Sequence, residues 1–262
     1  MSDALIVLGS ASSVPSRRRF PSAYALQVAG KLFLVDCGAP VTTLLYRYDL
    51  DPLDVNAIFL SHWHIDHTAG LGLLLTQNHH RKVSKKLNVY GPRGTNGKIK
   101  RLLDDAFFLV DDLRYELKIT NIKPGKVYEE ALLRVTFFKT DHLNKPKQKT
   151  YFGPRAIACG LILDGPGWRI VYSGDLSNSA ELTSYVEGCD LLIHEVSGHR
   201  PEAIAEFAAA AKIPYLLLSH IGPEFDESPE KIAAACADHY SGRLIVAEDG
   251  TRINLEEITR GV

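Results

Sequence analysis

Residues 61–67 read Ser-His-Trp-His-Ile-Asp-His and directly follow the apolar run Val55-Asn-Ala-Ile-Phe-Leu60, a pattern expected of a buried strand. Histidine accounts for 10 of the 262 residues. His-x-His-x-Asp-His would then arise by accident in such a chain with a chance of roughly one in a thousand, so the pattern is read as a metal-binding motif. The strand fixes where its side chains point. If it ends near Ser61, His62 and His64 lie two apart and face one side, where both can bind one ion. Asp66 and His67 fall at the opening of an expected helix over 67–78, apolar at Leu71, Leu74 and Leu75, and aim at a neighbouring point that suggests a second ion. Imidazole and carboxylate without thiolate suit zinc, with Mn2+ or Fe2+ as alternatives. The competing readings are a surface histidine cluster and a closed structural site; a cysteine-free cluster at the edge of a buried strand argues for chemistry.

Two ions need more donors than these four, and the chain offers isolated ones at the ends of other apolar runs. Leu132 to Lys139 leads into Thr140-Asp141-His142, Trp168 to Tyr172 into Ser173-Gly174-Asp175, and Tyr215 to Leu218 into Ser219-His220. An aspartate between two cations can bridge them with its two oxygens, and Asp175, placed after a glycine that lets the backbone turn, is the best candidate. Taken singly, each of these residues is as readily a loop residue or a helix cap. Taken as a set they complete a dinuclear site.

The ordered series His62-Trp-His64-Ile-Asp66-His67, His142, Tyr172-Ser-Gly-Asp175 and Leu218-Ser-His220 resembles the metallo-β-lactamase superfamily, and more closely its ribonuclease Z branch. Leu8-Gly-Ser-Ala-Ser-Ser-Val-Pro-Ser-Arg-Arg-Arg19 is similar to that branch's opening strand and loop, and Phe33-Leu-Val-Asp-Cys-Gly38 to its second signature. Thr68-Ala-Gly-Leu71, Leu191-Leu-Ile-His-Glu195 and Val246-Ala-Glu-Asp-Gly250 extend the likeness almost end to end. The resemblance implies an α/β (α+β) fold, an αββα sandwich of two mixed sheets flanked by helices. It also implies two Zn2+ per chain, with His62, His64 and His142 on the first ion, Asp66, His67 and His220 on the second, and Asp175 bridging.

Two ions in such a site share a water whose pKa falls towards about 7, and they stabilise both oxygens of an in-line displacement. The expected enzyme is therefore a dinuclear metal-dependent phosphodiesterase in which a bridging hydroxide attacks phosphorus and Asp66 orients it or accepts its proton. A leaving alkoxide needs a proton, which a histidine held by a carboxylate can supply near neutral pH. Glu195 and His199 match that need, as the resembled branch implies, although Arg200-Pro201 replaces its usual Ser-Thr. The plain reading of His199 is the capping region of a helix that begins with Pro201; His194 is either a support behind the site or a core residue, and Asp36 a support behind the ligands. An acyl hydrolase, lactonase or thioesterase-like, would use the same hydroxide without needing His199 and Glu195. A noncatalytic metal-bearing scaffold is the remaining alternative.

The substrate class is less constrained. Lys and Arg total 30 against 31 Asp and Glu, a net charge of −1, so no global basic footprint marks a nucleic-acid binder. Locally, Arg17-Arg18-Arg19 and the stretch 139–155, with Lys139, Lys145, Lys147, Lys149 and Arg155 against Asp141, lie beside proposed ligand strands; both also read as ordinary solvated loops. Ribonuclease Z enzymes insert a tRNA-clamping arm between the third metal histidine and the bridging aspartate, whereas here His142 and Asp175 stand 33 residues apart. The expected partner is thus a phosphodiester, either RNA or a smaller or cyclic ester. A homodimer is expected from the resemblance alone.

With 45% hydrophobic residues the chain can bury a large core, and no linker divides it, so residues 1–262 are expected to form one domain. No apolar run approaches 18 residues and the start, Met-Ser-Asp, lacks a signal pattern; together with scattered Cys37, Cys159, Cys189 and Cys236 this points to a cytoplasmic protein without a membrane partner. Periodicity predicts strands near 4–9, 23–29, 31–36, 55–61, 87–90, 114–121, 131–140, 156–163, 168–173, 190–194, 215–219 and 243–247. It predicts helices over 67–78, 98–109, 179–186, 201–212 and 228–240.

Overall fold

Apolar residues occupy both sides of most strands, so each sheet must be covered on both faces. A computed structural model describes residues 2–82, 85–130 and 132–258. The strands are β1 (Ala4–Gly9), β2 (Ala23–Val28), β3 (Lys31–Val35), β4 (Val55–Phe59), β5 (Leu87–Gly91), β6 (Leu117–Asn121), β7 (Val127–Glu130), β8 (Leu133–Thr140), β9 (Ala158–Gly165), β10 (Trp168–Tyr172), β11 (Leu191–Glu195), β12 (Tyr215–Ser219), β13 (Arg243–Val246) and β14 (Arg252–Asn254). The helices are α1 (Val41–Arg47), α2 (Ile65–Thr68), α3 (Leu71–His80), α4 (Thr95–Asp105), α5 (Pro146–Phe152), α6 (Pro201–Ala210), α7 (Pro223–Asp226), α8 (Glu230–Cys236) and α9 (Leu255–Ile258). One sheet runs β14-β1-β2-β3-β4-β5-β6 and the other β13-β12-β11-β10-β9-β8-β7.

Each sheet has four antiparallel strands followed by three parallel ones. β14, β1, β2 and β3 pair antiparallel before β4, β5 and β6 join in parallel. In the same way β7, β8, β9 and β10 pair antiparallel before β11, β12 and β13. Alternation then sorts the side chains. Leu5 and Val7 of β1, Phe33 of β3, Phe59 of β4, Phe137 of β8 and Leu161 of β9 fill the layer between the sheets. Ile6, Leu34 and Ile58 face the other way, against Leu44 of α1, Leu74 of α3 and Ile99 of α4, while Val171, Leu192 and Leu216 meet Ile204 of α6 and Ile232 of α8. Each such fully buried Phe or Leu contributes about 1.5–3 kcal/mol relative to exposure. The result is the expected αββα sandwich of two mixed sheets.

Several elements differ from the periodicity reading. The helix expected over 67–78 is two pieces, α2 and α3, parted at Gly70, whose Cβ would collide with Gly38 O at 2.9 Å. Over 179–186 only a single 3-10 turn forms at Ser179–Leu182, capped by the Asn178 side chain and Glu181. The expected helix over 98–109 starts earlier and stops at Asp105. Within the stretch 131–140, residue 131 lies outside the described residues. No helix among the described residues is long and apolar enough to cross a membrane.

Candidate metal centre

The carboxyl ends of the strands converge on one rim, as open α/β sheets place their sites. β4 runs into Ser61–His67, β8 into His142, β10 into Asp175, β11 into Glu195 and β12 into His220. Main-chain bonds fasten these turns together. Cys159 N donates to Ser61 O at 3.0 Å, joining the first motif to the second sheet, and Val196 N donates to Ser219 O at 2.9 Å. Trp63 points away from the rim and donates its indole N–H to Thr95 Oγ1 at 2.8 Å; the residue between the two histidines thus anchors the motif on α4.

The structure brings all seven proposed donors together. His62, His64, His142 and Asp175 form one group and Asp66, His67 and His220 another, with the donor atoms of each group within 4.8 Å of one another. Asp175 stands between them with its oxygens divided. Its Oδ2 lies 3.6 Å from His62 Nε2 and 3.4 Å from His142 Nε2. Its Oδ1 lies 3.3 Å from His67 Nε2 and 3.6 Å from His220 Nε2. Asp66 Oδ2 faces His220 Nε2 at 3.3 Å and His67 Nε2 at 3.5 Å, and His64 Nδ1 faces His142 Nε2 at 3.2 Å.

Behind the donors, Asp36 fixes the rings. Fully buried, it accepts from Ser61 N at 2.7 Å, Ser61 Oγ at 2.8 Å, Tyr172 Oη at 2.7 Å and His67 Nδ1 at 2.7 Å. With Nδ1–H committed to a carboxylate, His67 presents the lone pair of Nε2 to the centre. Ser61 Oγ, having given its proton to Asp36, accepts from His62 Nδ1 at 3.0 Å, so His62 Nε2 is bare as well. That bare nitrogen and Asp175 Oδ1 are buried with no hydrogen-bond partner among the described residues. Lone pairs turned on one another in the dry edge of a sheet are costly unless a cation sits between them. The donor set fits divalent metal.

The charges respond accordingly. Burial and His67 hold His62 well below the usual imidazole range. At His67 burial works downwards, but the carboxylates of Asp175 and Asp36 overcome it and hold the ring well above its ordinary value. Burial works to raise Asp175, yet His220, His67 and His62 keep it well below the carboxylate range. Glu195 goes the other way, raised by burial and by the charge of Asp175.

Glu195 and His199 lie beside the donor cluster. Glu195 Oε1 accepts from Leu176 N and faces His199 Nε2 at 3.2 Å, and its Oε2 faces His220 Nδ1 at 3.5 Å. His199 follows Gly198 in the turn before α6, not in the helix, with its N–H on Val196 O at 2.9 Å. His194 is a core residue: burial lowers its pKa to about 3, its Nδ1–H donates to Glu195 O at 2.5 Å and its Nε2 accepts from Ser179 Oγ at 3.0 Å. A cleft of about 450 Å³ opens over the cluster, lined also by Ser13, Lys145, Ser177 and Ser197. Ser177 and Ser197 had no sequence signal; Ser13 lies in the opening loop within Leu8–Arg19 and Lys145 in the basic stretch. A hollow of about 510 Å³ by Asp49, Asp51 and Asp54 has no histidine on its walls, so donor chemistry rather than volume singles out the cleft.

The basic loops divide. Arg19 is buried, with Nη1 donating to Ser10 Oγ at 2.8 Å and to Ala247 O, and Nε 3.5 Å from Asp226 Oδ1. It braces the chain's closing segment and is not free for substrate; Arg17 and Arg18 remain exposed. The side chain of Arg155 lies outside the described residues.

Comparisons with known proteins agree with this architecture. The metallo-β-lactamase fold protein YhfI from Bacillus subtilis superposes with a TM-score of 0.79 at 22% identity, over 97% of this chain and 99% of its own. The short form of human tRNase Z superposes with a TM-score of 0.75 at 22% identity, over 96% and 99%. In sequence, Ribonuclease Z of Methanothermobacter thermautotrophicus is 26% identical over 277 aligned positions, covering 87% of this chain and 89% of the relative. Those positions outnumber the residues of this chain, so the relative carries segments with no counterpart here. Fold and donor set together define a ribonuclease Z-like hydrolase of the metallo-β-lactamase superfamily. Within that class, the chain belongs to the family described as Anti-Pycsar protein Apyc1, whose profile matches residues 4–218.

Proposed function

We propose that the chain is a phosphodiesterase loaded with two zinc ions, His62, His64 and His142 holding one, Asp66, His67 and His220 the other, and Asp175 both. The division of the Asp175 oxygens between the two imidazole groups is the observation that carries this reading. When bound, such a pair of ions acidifies a water and neutralises charge gathering on a phosphoryl group. The chain's own residues do the rest. Asp66 orients the attacking water and accepts its proton. His199 gives a proton to the leaving oxygen. Glu195 positions it.

A small phosphodiester, linear or cyclic, suits this cleft better than a folded RNA. Between His142 and Asp175 the chain forms only α5, a 3-10 turn and the β9–β10 hairpin, without an arm to supply remote phosphate contacts. RNA is the second reading, favoured by the ribonuclease Z relatives. A single working unit over the whole chain, a cytoplasmic setting and a homodimer belong to the same proposal, and sedimentation would test the last.

The test is turnover of bis(p-nitrophenyl) phosphate by the zinc-loaded protein beside p-nitrophenyl acetate and a lactone. Asp66→Ala should abolish phosphodiester turnover, while His199→Ala should keep its zinc and lose roughly 10²–10⁴ in rate. Dominant acetate or lactone turnover would move the enzyme to acyl hydrolysis, and an unchanged rate in His199→Ala would reduce that residue to a helix-capping role.

A further inference from the structure

The turn that carries His142 has little packed against it. Residues 141–145 include no buried side chain, and α5, which follows, buries none of its own. The His142 side chain is 20% exposed, where those of His62 and His67 are 0% and that of His220 is 9%. A ligand on such a turn costs ordering free energy when an ion binds, unless the chain fixes the turn beforehand. Two hydrogen bonds tie it to the segment that leaves β10. Thr140 Oγ1 donates to Asp175 O at 2.8 Å, and Asp141 N donates to Glu181 Oε2 at 2.5 Å.

Glu181 is the third residue of the 3-10 turn Ser179–Leu182, where it closes the capping box with Asn178. A capping box needs only one side-chain oxygen at that position. Here Oε1 serves it, accepting from Asn178 N at 3.0 Å and from Ser177 N at 2.7 Å, which leaves Oε2 for Asp141, 40 residues back along the chain. One carboxylate thus clasps the backbone beside His142 and the backbone just beyond Asp175. Its platform is firm: Leu182 is fully buried, and Tyr185 stacks on Phe138 of β8 with ring centroids 4.1 Å apart. Asp175 is held separately, by the Gly174 turn and by Leu176 N on Glu195. The donor that the clasp places is therefore His142, whose Nε2 faces Asp175 Oδ2 at 3.4 Å.

We propose that Glu181 is a positioning residue for the metal centre: it fixes the His142 turn against Asp175 before an ion arrives, and so raises the affinity of the site made by His62, His64 and His142. Glu181 does not line the cleft and acts only through His142. The inference rests on the two-ion reading of the centre.

Glu181→Gln isolates this role. Glutamine also closes a capping box, but it has one acceptor oxygen where the carboxylate has two, and its NH2 group cannot accept from a second N–H. Glu181→Ala removes both oxygens, whichever way the amide turns. The measurement is zinc retention by the full-length protein against graded chelators, with the melting temperature of the zinc-free form as the measure of fold. Glu181→Gln should weaken one of the two zinc equivalents roughly tenfold, and leave the other equivalent and the zinc-free melting temperature as in the wild type. Glu181→Ala should weaken that equivalent at least as much. His142→Ala should weaken the same equivalent, and adding Glu181→Gln to it should cost nothing further, because the clasp then has no ring to place. Wild-type affinity for both equivalents in the two Glu181 variants would reduce the residue to a helix cap. Equal weakening of both equivalents with a lower zinc-free melting temperature would make it a support of the fold, and losses that add in the double variant would show that it does not act through His142; each result overturns the proposal. A wild type that takes up a single zinc would sink the two-ion reading alone, and a loss for that ion in Glu181→Gln that vanishes in the His142→Ala background would still support the clasp.

Discussion

Asp36 accepts four hydrogen bonds while fully buried, and it sets the tautomer of His67 directly and that of His62 through Ser61. Asp36→Asn should therefore leave the fold intact and lower zinc affinity by roughly 10–100-fold, read as zinc retention against a graded chelator; unchanged retention would show that the rings orient themselves. His194 makes a separate prediction in pH. Its pKa is about 3 in the folded protein, through burial, against about 6.5 unfolded. Between those values the unfolded chain binds a proton that the folded one refuses, so stability falls on acidification by about 1.4 kcal/mol per pH unit from this ring. His194→Gln should flatten the acid limb of urea midpoints measured between pH 7 and pH 5. An unaltered slope would place the acid sensitivity elsewhere. At this scale the sequence was most legible where residue type carries the chemistry: His62, His64, Asp66, His67, His142, Asp175 and His220 stand out by kind and by place after apolar runs. It was least legible where direction decides. Arg19 reads like Arg17 and Arg18, yet it turns inwards to Ala247 O and Asp226, because contacts more than two hundred residues away along the chain claim it.

Among the elements, the turns that leave the strands matter more to the site than the strands themselves. Gly174 adopts φ +57°, and a Cβ there would stand 2.5 Å from Cys159 O. Only glycine takes that conformation at little cost, and it delivers Asp175 between the two donor groups. Gly174→Ala should cost about 1–3 kcal/mol in strain and release zinc more readily, seen as a lower melting temperature that added zinc restores only in part. A variant with wild-type melting and zinc content would show that the turn can relax. Long buried strands such as β1, β10 and β12 were plain from their apolar runs, since packing on both faces leaves little freedom in composition. The short helices were hidden. α1 opens with Val41, Thr42 and Thr43, β-branched residues that weaken any helix signal, and α5 is a polar turn with exposed Tyr151. β7, four residues at a sheet edge, is too short for alternation to show. Conversely 179–186 carried helical spacing, but the capping box of Asn178 and Glu181 closes only one 3-10 turn.

For the molecule as a whole, the matching strand patterns of the two sheets make the donor set a seam. Four donors, His62, His64, Asp66 and His67, come from the first half of the chain, and His142, Asp175 and His220 from the second. Each ion would draw ligands from both halves, so binding should stabilise the sandwich as one body rather than a single loop. Three apolar layers hold the sheets and helices together without metal, and the chelated protein should therefore remain folded, with far-ultraviolet circular dichroism close to that of the loaded form. Its melting temperature should nonetheless fall. An ion at a thousand times its Kd contributes about 4 kcal/mol, and for a chain of this size that is on the order of 10 °C per ion. Adding zinc back to the chelated wild type should recover the shift, in two stages if the donor groups differ in affinity. Asp175→Ala, which removes the carboxylate common to both groups, should recover little of it at the same zinc concentration. If that variant regains the full shift, the two groups act independently and Asp175 is not the bridge. If only a local probe near the cleft responds to zinc while global melting stays fixed, the seam is not coupled to the stability of the sandwich.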